Sequence, residues 1–367
     1  MSTTSEPMGT GRGPLVLWYT PVSDMGGVAR HVLDAARTGI PGFRLVVLCP
    51  EGPLAEALRT QGTAVVTGPV GPESGAPRAI REVRRVLARL RPAILHTHLA
   101  FADIAGTTAA TGMRAGDGSR LRVVSTEHGI GGDASLYQSG AVQTAVKANV
   151  HRARLHRTDR VIAVSRSTKE QIERQWGTGA PITIVHNGID PLPAAPPRAG
   201  LRILSLSRLS FEKRIGELIV AFALVHSRHP EARLTIAGTG PDEADLRARA
   251  RAFGVEDVTD LPGFVDAGEA LRTHDVVVQL SAWENLSYTL LDAVAAGTGV
   301  VATDVGGNAE IVPPRCLVEA QDHEAVAAAI IDQGLHVEHR PAADAAPWAS
   351  AADMCGQIAG VYREVLG

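Results

Sequence analysis

Residues 281–312 read SAWENLSYTLLDAVAAGTGVVATDVGGNAEIV, and this stretch sets out an acid, an apolar helix, a short buried strand and a glycine turn in sequence. Glu284 stands just before an apolar, helix-like run, Asp292 lies within it, and Gly297 ends it ahead of the strand-like Val300 to Thr303. Gly306-Gly307 then makes a flexible turn before a second helix start at Asn308. Loops of this kind bring polar side chains and unpaired backbone N–H groups to one place, which suits a polyanionic ligand. We read the segment as a pocket for a sugar attached to a nucleotide.

Working outward, the second half of the chain alternates strands and helices. Arg202 to Ser207, Arg233 to Ala237, Val258 to Leu261 and Val276 to Leu280 read as strands, with helices at Ile215 to His226, Asp242 to Phe253 and Ala267 to Thr273. In the first half, Leu15 to Trp18, Arg44 to Leu48, Ala64 to Thr67, Ile94 to His96, Val123 to Thr126 and Val161 to Val164 read as strands. Between them, the run from Ile80 to Leu90 sets Ile80, Val83, Leu87 and Leu90 on one helical face, with arginines elsewhere. Such alternation predicts α/β domains with doubly wound parallel sheets. The proline-rich stretch Pro191 to Gly200, PLPAAPPRAG, reads as the linker between residues 1–190 and residues 201–349, and residues 350–367 as a terminal helix packing back across the hinge. Two facing sheets of this type present their strand ends across a cleft, where ligands bind.

Composition narrows the function. A chain of 367 residues that is 45% hydrophobic supplies two sizeable cores. No apolar run approaches the roughly 20 residues of a membrane span, and residues 1–25 lack the basic start and apolar centre of a signal peptide, so a cytoplasmic protein is expected. Cys49, Cys316 and Cys355 are odd in number and far apart, which fits buried thiols rather than a disulfide framework or a zinc cluster. A net charge of -3 gives no support to nucleic-acid binding. Only Lys147, Lys169 and Lys213 are lysines, so a lysine in this arginine-rich chain is informative. The basic stretch from Lys147 to Arg160 reads as a solvated helix face, or more sharply as a peripheral contact with anionic membrane.

Several polar motifs follow expected strands. Gly26-Gly27 opens a helix where a phosphate can approach backbone and dipole closely. Arg208 and Lys213 share the loop after the first strand of the second half, a cation pair suited to a diphosphate. His128 ends a strand within EHG on the rim of the cleft, while its neighbour Glu127 is expected to turn into the sheet. His96 and His98 fall on one side of an extended segment, open to a core-facing or rim-facing reading, and are assigned supporting or acceptor-side roles. Gly238 to Glu243, GTGPDE, lacks the third glycine of a dinucleotide fingerprint, so no nicotinamide cofactor is expected. Were the intervening segment mostly helical, Glu284 and Asp292 would stand roughly 12 Å apart, beyond the roughly 5 to 9.5 Å of a glycosidase pair. Their bland alternatives are a helix N-terminal acid for Glu284 and an exposed helix position for Asp292.

In this order GGVARH, EHG, VIAVSRSTKE, IVHNGID, SRLSFEKR, LTIAGTGP, LPGFVD and the opening segment resemble the retaining glycosyltransferases of family four, which have the GT-B fold of two Rossmann-like domains. The resemblance implies transfer of a sugar from a nucleotide-diphosphate sugar, UDP-linked rather than GDP-linked, to an acceptor hydroxyl with retained configuration. The acceptor would be a glycan, a lipid-linked molecule or a small molecule, met by the N-terminal domain. By the same resemblance Arg208 and Lys213 neutralise the departing diphosphate, the Gly27 N–H meets a phosphate, and Gly26 precedes it. His128 and Glu284 lie at the transferred sugar, the N–H groups of Leu286, Ser287 and Tyr288 serve sugar and phosphate, and Asp292 grips the ribose. The base would lie between Gly238 to Gly240 and the turn at Phe264 and Val265. No cofactor and no metal are expected, and no Asp-x-Asp occurs in the chain. Two departures stand out: Asp292 is one methylene shorter than the family's usual glutamate, and Asn285, Leu286 and Ser287 replace a Gly-Phe-Gly type tripeptide. A nucleotide-sugar epimerase or hydrolase, and a non-catalytic nucleotide-sugar-binding subunit, are the alternatives. A pyridoxal-phosphate phosphorylase is disfavoured, since Lys213 is better placed for phosphate. The sequence carries no signal for oligomeric state.

Overall fold

The computed structural model describes residues 13–128, 141–190, 198–342 and 349–367, with the backbone alone for 141–147. Residues 191–197 of the expected linker, Gly129 and the Lys147 side chain therefore lie outside the described residues. The first domain runs β1 (Leu15–Tyr19), α1 (Gly27–Thr38), β2 (Arg44–Cys49), α2 (Pro53–Thr60), β3 (Ala64–Thr67), α3 (Ala76–Leu90) and β4 (Ile94–His98). It continues α4 (Ala100–Ala110), β5 (Arg122–Glu127), α5 (Ala141–Leu155), β6 (Arg160–Ala163), α6 (Arg166–Trp176) and β7 (Ile182–Ile184). The second runs β8 (Arg202–Leu206), α7 (Ile215–Arg228), β9 (Arg233–Ala237), α8 (Glu243–Ala252), β10 (Thr259–Gly263), α9 (Ala267–Thr273) and β11 (Val276–Gln279). After α10 (Tyr288–Ala295), β12 (Gly299–Thr303), α11 (Asn308–Ile311), β13 (Leu317–Val318) and α12 (His323–Leu335), the chain ends in α13 (Ala351–Leu366).

Both sheets are parallel, ordered β3-β2-β1-β4-β5-β6-β7 and β10-β9-β8-β11-β12-β13. Burial on both faces explains the apolar strands. In β1, Val16 and Trp18 join one core with α1 and α13, while Leu17 and Tyr19 join another with α3 and α4. The order reverses at β1/β4 and at β8/β11, and the loops leaving those strands carry most of the polar motifs. The short strands β7 and β13 escaped the sequence reading, being only three and two residues long.

The last helix belongs with the first sheet. Ser350 caps α13 in a reciprocal box with Asp353, and Tyr362 is fully buried, accepting a hydrogen bond from Trp18 Nε1 at 2.7 Å. Ile189 N donates to Ala349 O at 3.1 Å, so the end of the first domain's chain runs against the start of α13.

One basic residue is misplaced by the sequence reading. Arg152 and Arg157 are exposed, but Arg154 is buried, paired with Glu127 and, at 3.2 Å, with Asp103, and stacked over Trp176 at 5.0 Å. The stretch is thus no uniformly solvated basic face, because one arginine on it is needed to neutralise two buried acids. Burial and the nearby Glu127 push the Asp103 carboxyl well above the ordinary range, against the pull of Arg154. Removing one partner of such a buried set costs on the order of 3 to 5 kcal/mol. Arg154→Leu should therefore lose about that much in urea unfolding at neutral pH. The loss should shrink on acidification, as the Asp103 carboxyl becomes protonated, and adding Asp103→Asn and Glu127→Gln should restore much of it.

Candidate functional site

The site begins at the helix starts. Gly26 leads into α1 in extended backbone with no side-chain cap and Gly27 opens the helix, so the first N–H groups of the helix are available. On the other wall, Ser287 caps α10 by accepting from Leu290 N at 3.3 Å while donating to Gln279 at 2.7 Å. The N–H groups of Leu286, Ser287 and Tyr288 form no hydrogen bond to another described residue. The two starts belong to opposite domains, yet a Cβ built on Gly27 would lie 4.0 Å from Tyr288 Cδ2.

Here the structure departs from the reading of the helix. α10 starts at Tyr288, so Glu284 sits in a loop three residues ahead of its cap and is no helix N-terminal acid. The separation reckoned on a continuous helix loses its basis with it. The loop is held open by a turn: Gly306 has φ 59°, and a Cβ there would fall 1.9 Å from the Glu284 carbonyl oxygen.

Each acid of the site has a cation. Lys213 Nζ pairs with Glu284 Oε1, which also accepts from Ser281 Oγ at 2.8 Å. Arg208, with 69% of its side chain exposed, bonds Glu212 at 2.6 Å, and Ser210 Oγ donates to the same carboxylate oxygen at 2.6 Å. These bonds hold the buried Glu212 carboxyl below its usual range despite desolvation. Ala282 N donates to Glu212 O at 2.7 Å, tying the loop of the cations to the loop of Glu284. Arg208 and Lys213 thus share one loop but engage different carboxylates. Asp292 is 4% exposed rather than an open helix position, because Arg30 of the first domain forks onto it, with Nη2 to Oδ1 at 2.9 Å.

On the side assigned to the base, Gly238 N donates to Gly263 O at 2.7 Å, which sets the glycine loop beside the turn of Phe264 and Val265. Gly238 has φ 135°, and a Cβ there would lie 1.9 Å from Ser207 O; at Gly240 the same atom would lie 2.1 Å from Leu209 O. Only glycine lets these loops pack so closely. Phe264 is 78% exposed at this edge.

The first domain contributes a group of imidazoles. His98 Nδ1 lies 3.0 Å from His128 Nε2, and the His31 and His128 rings are 4.6 Å apart at near right angles. His96 faces the core, bonded to Tyr362 OH and, at 2.7 Å, to Thr126 Oγ1. Glu127 turns inward to Arg154. Across the cleft Asn285 Nδ2 donates to His128 O at 2.6 Å, Asn187 Nδ2 donates to Leu286 O at 2.9 Å, and His31 Nδ1 meets Tyr288 OH at 3.2 Å. Glu310 of α11 accepts from Arg166 N and Ser167 N at 2.9 and 3.2 Å, covering the start of α6. Arg30, His31, Asn187, Glu212 and Glu310 carried no assigned role in the sequence; their roles arise from contacts with distant segments.

By donor type, His31, His98 and His128 form a set whose ring nitrogens lie within 4.8 Å of one another, as do the ligand atoms of Asp332, His336 and His339 at the surface. In the first set, His98 and His128 already bond one another and His31 bonds Tyr288.

Burial holds these rings neutral: His31 is brought down to about 4, and His96, His98 and His128 lie well below the ordinary histidine range, with neighbouring imidazoles adding to the effect. On acidification the unfolded chain takes up protons first, so stability is retained above about pH 6.5 and is lost as pH falls toward 4. His31 alone accounts for on the order of 3 kcal/mol of that loss. Urea midpoints measured across this window should fall steadily; a flat profile would mean that the rings are protonated in the folded protein.

Two family models match the chain: one described as Glycosyltransferase Family 4 over residues 25–191, the other as Glycosyl transferases group 1 over residues 195–337. A glycogen synthase of Mycobacterium tuberculosis is 29% identical over 335 residues, spanning 81% of this chain and 79% of that protein. A phosphatidylinositol N-acetylglucosaminyltransferase component of Arabidopsis thaliana is 25% identical over 248 residues, 65% of this chain and 53% of that protein. Among solved structures, Anabaena HepE in complex with UDP and glucose superimposes with a TM-score of 0.78 at 18% identity, covering 95% of this chain and 99% of that one. That last likeness is one of fold.

Proposed function

The chain belongs to the family-four glycosyltransferases and has their GT-B fold, and from that premise we propose that it moves a sugar from a UDP-sugar to an acceptor hydroxyl with retention of configuration and without a metal ion. The observation that carries this reading is that the helix starts at Gly27 and Ser287 meet across the cleft, a Cβ on Gly27 lying 4.0 Å from Tyr288 Cδ2, while the loop of Arg208 and Lys213 is joined to the loop of Glu284 by Ala282 N to Glu212 O and by the Lys213–Glu284 pair. Fixed positive charge and main-chain dipoles aimed at a departing diphosphate lower the barrier by stabilising charge as it develops. HepE, solved with UDP and glucose, supports uracil as the base.

In this reading Lys213 and Glu284 hold each other oriented until donor arrives. The ammonium then turns to the diphosphate, and Glu284 is left to the sugar hydroxyls. His128, neutral and anchored by His98, lies against the transferred sugar. The acceptor hydroxyl attacks on the face that the diphosphate leaves, and a phosphate oxygen takes its proton. The acceptor, a glycan, lipid-linked or small molecule, approaches from the first domain. Among the described residues no helix is long and apolar enough to cross a membrane.

Arg208→Ala and Lys213→Ala should each lose about 10²-fold or more in kcat/KM, on the order of 3 kcal/mol of transition-state stabilisation. Near-wild-type turnover in both would refute the assignment. Glu284→Gln should lower mainly the rate and Asp292→Ala mainly nucleotide binding. A thermal-shift screen of UDP, GDP and ADP sugars should raise the melting point most with a UDP-sugar, and activity should survive EDTA. Inactivation by EDTA, with recovery on adding a divalent ion, would instead favour the histidine group as a metal site.

A further inference from the structure

Asp292 lies in the middle of α10 in the second domain, yet the cation against it comes from the first. Arg30 sits one turn into α1 and presents both terminal guanidinium nitrogens to the two carboxylate oxygens, Nη2 to Oδ1 at 2.9 Å. The guanidinium is itself held: its carbon lies 4.6 Å from the centre of the Tyr288 ring, and its Nε donates to Asp34 at 3.3 Å. Tyr288 stands one turn before Asp292, and its hydroxyl meets His31 Nδ1 at 3.2 Å. Adjacent residues of α1 therefore grip residues one turn apart on α10, and this ties together the two helix starts assigned to the diphosphate.

A carboxylate offers about four lone-pair directions, and a forked guanidinium uses two. The remaining two suit a vicinal diol. A buried carboxylate without its cation is strongly disfavoured, so Asp292 is poised for a sugar only while Arg30 is in place. An aspartate has less reach than the glutamate usual at this position, and the fork supplies the orientation that the shorter stem lacks.

We propose that Arg30 is a positioning residue that holds the Asp292 carboxylate for the ribose of the donor nucleotide, so that ribose recognition is made only with the two domains closed on each other. This rests on the donor reading above. The ribose and Arg30 share one carboxylate, and closure and nucleotide recognition become a single event.

Isothermal titration of the full-length protein with UDP and with 2′-deoxy-UDP tests this in wild type, Arg30→Ala, Arg30→Lys, Asp292→Asn and the double variant Arg30→Ala/Asp292→Asn. Arg30→Ala should weaken UDP by about tenfold or more, weaken 2′-deoxy-UDP clearly less, and raise the donor KM with little change in kcat. Arg30→Lys, which keeps the charge but not the fork, should recover only part. In the Asp292→Asn background the Arg30 replacement should add nothing further. Unchanged or tighter UDP binding by Arg30→Ala would overturn the inference, as would equal losses for the two nucleotides or additive losses in the double variant. Should Arg30→Ala fail to fold, Arg30→Gln carries the same comparison. Wild-type protein that binds no UDP would overturn the donor reading itself, whereas wild-type binding with an indifferent Arg30 overturns this inference alone.

Discussion

Everything in this protein follows from where its parallel strands reverse their order. A right-handed crossover can carry the chain to one side of a strand only, so at β1/β4 and β8/β11 the neighbouring loops leave in opposite directions and open a crevice. The glycines of α1, His98 and His128 gather at one such end. Arg208, Lys213, Glu284 and the start of α10 gather at the other. The chemistry is located by sheet topology before any individual side chain contributes.

What side chains add is charge balance. Glu212 with Arg208, Glu284 with Lys213 and Asp292 with Arg30 each set one cation against one largely buried acid, and Asp103 and Glu127 share Arg154. Charges cannot be buried singly at tolerable cost, so the cleft is lined by pairs. Two consequences differ in kind. The Arg154 group lies inside the first domain and serves stability, whereas the Arg30 pair spans the cleft and couples the domains. The imidazoles behind His128 stay neutral for the same reason: burial disfavours their charged form.

Legibility varied with the range of the interaction. Doubly wound sheets were readable because apolar strands and amphipathic helices such as residues 76–90 carry their periods locally. The turn at Gly306 was readable because glycine marks a backbone demand there, and Gly26-Gly27 because the pair stands where a helix begins. Glu284 was readable as an acid ahead of a helix, but the apolar run signalled a helix and not where its cap would fall, and Ser287 took that place. Arg154 looked like one more surface arginine, since nothing adjacent in sequence announces Asp103 and Glu127.

The sequence by itself determined the alternation of strands and helices, the plan of two parallel-sheet α/β halves, and the acids, cations and glycines that stand at strand ends, because each of these rests on residues close together along the chain. Only the tertiary structure decided the partners: Lys213 with Glu284, Arg30 with Asp292, Asn285 with the carbonyl of His128, and α13 with the first sheet through Tyr362. Those pairings span 71 to 344 positions, and an electrostatic or hydrogen-bond partner at such separation is chosen by how two sheets face each other, which no local pattern encodes.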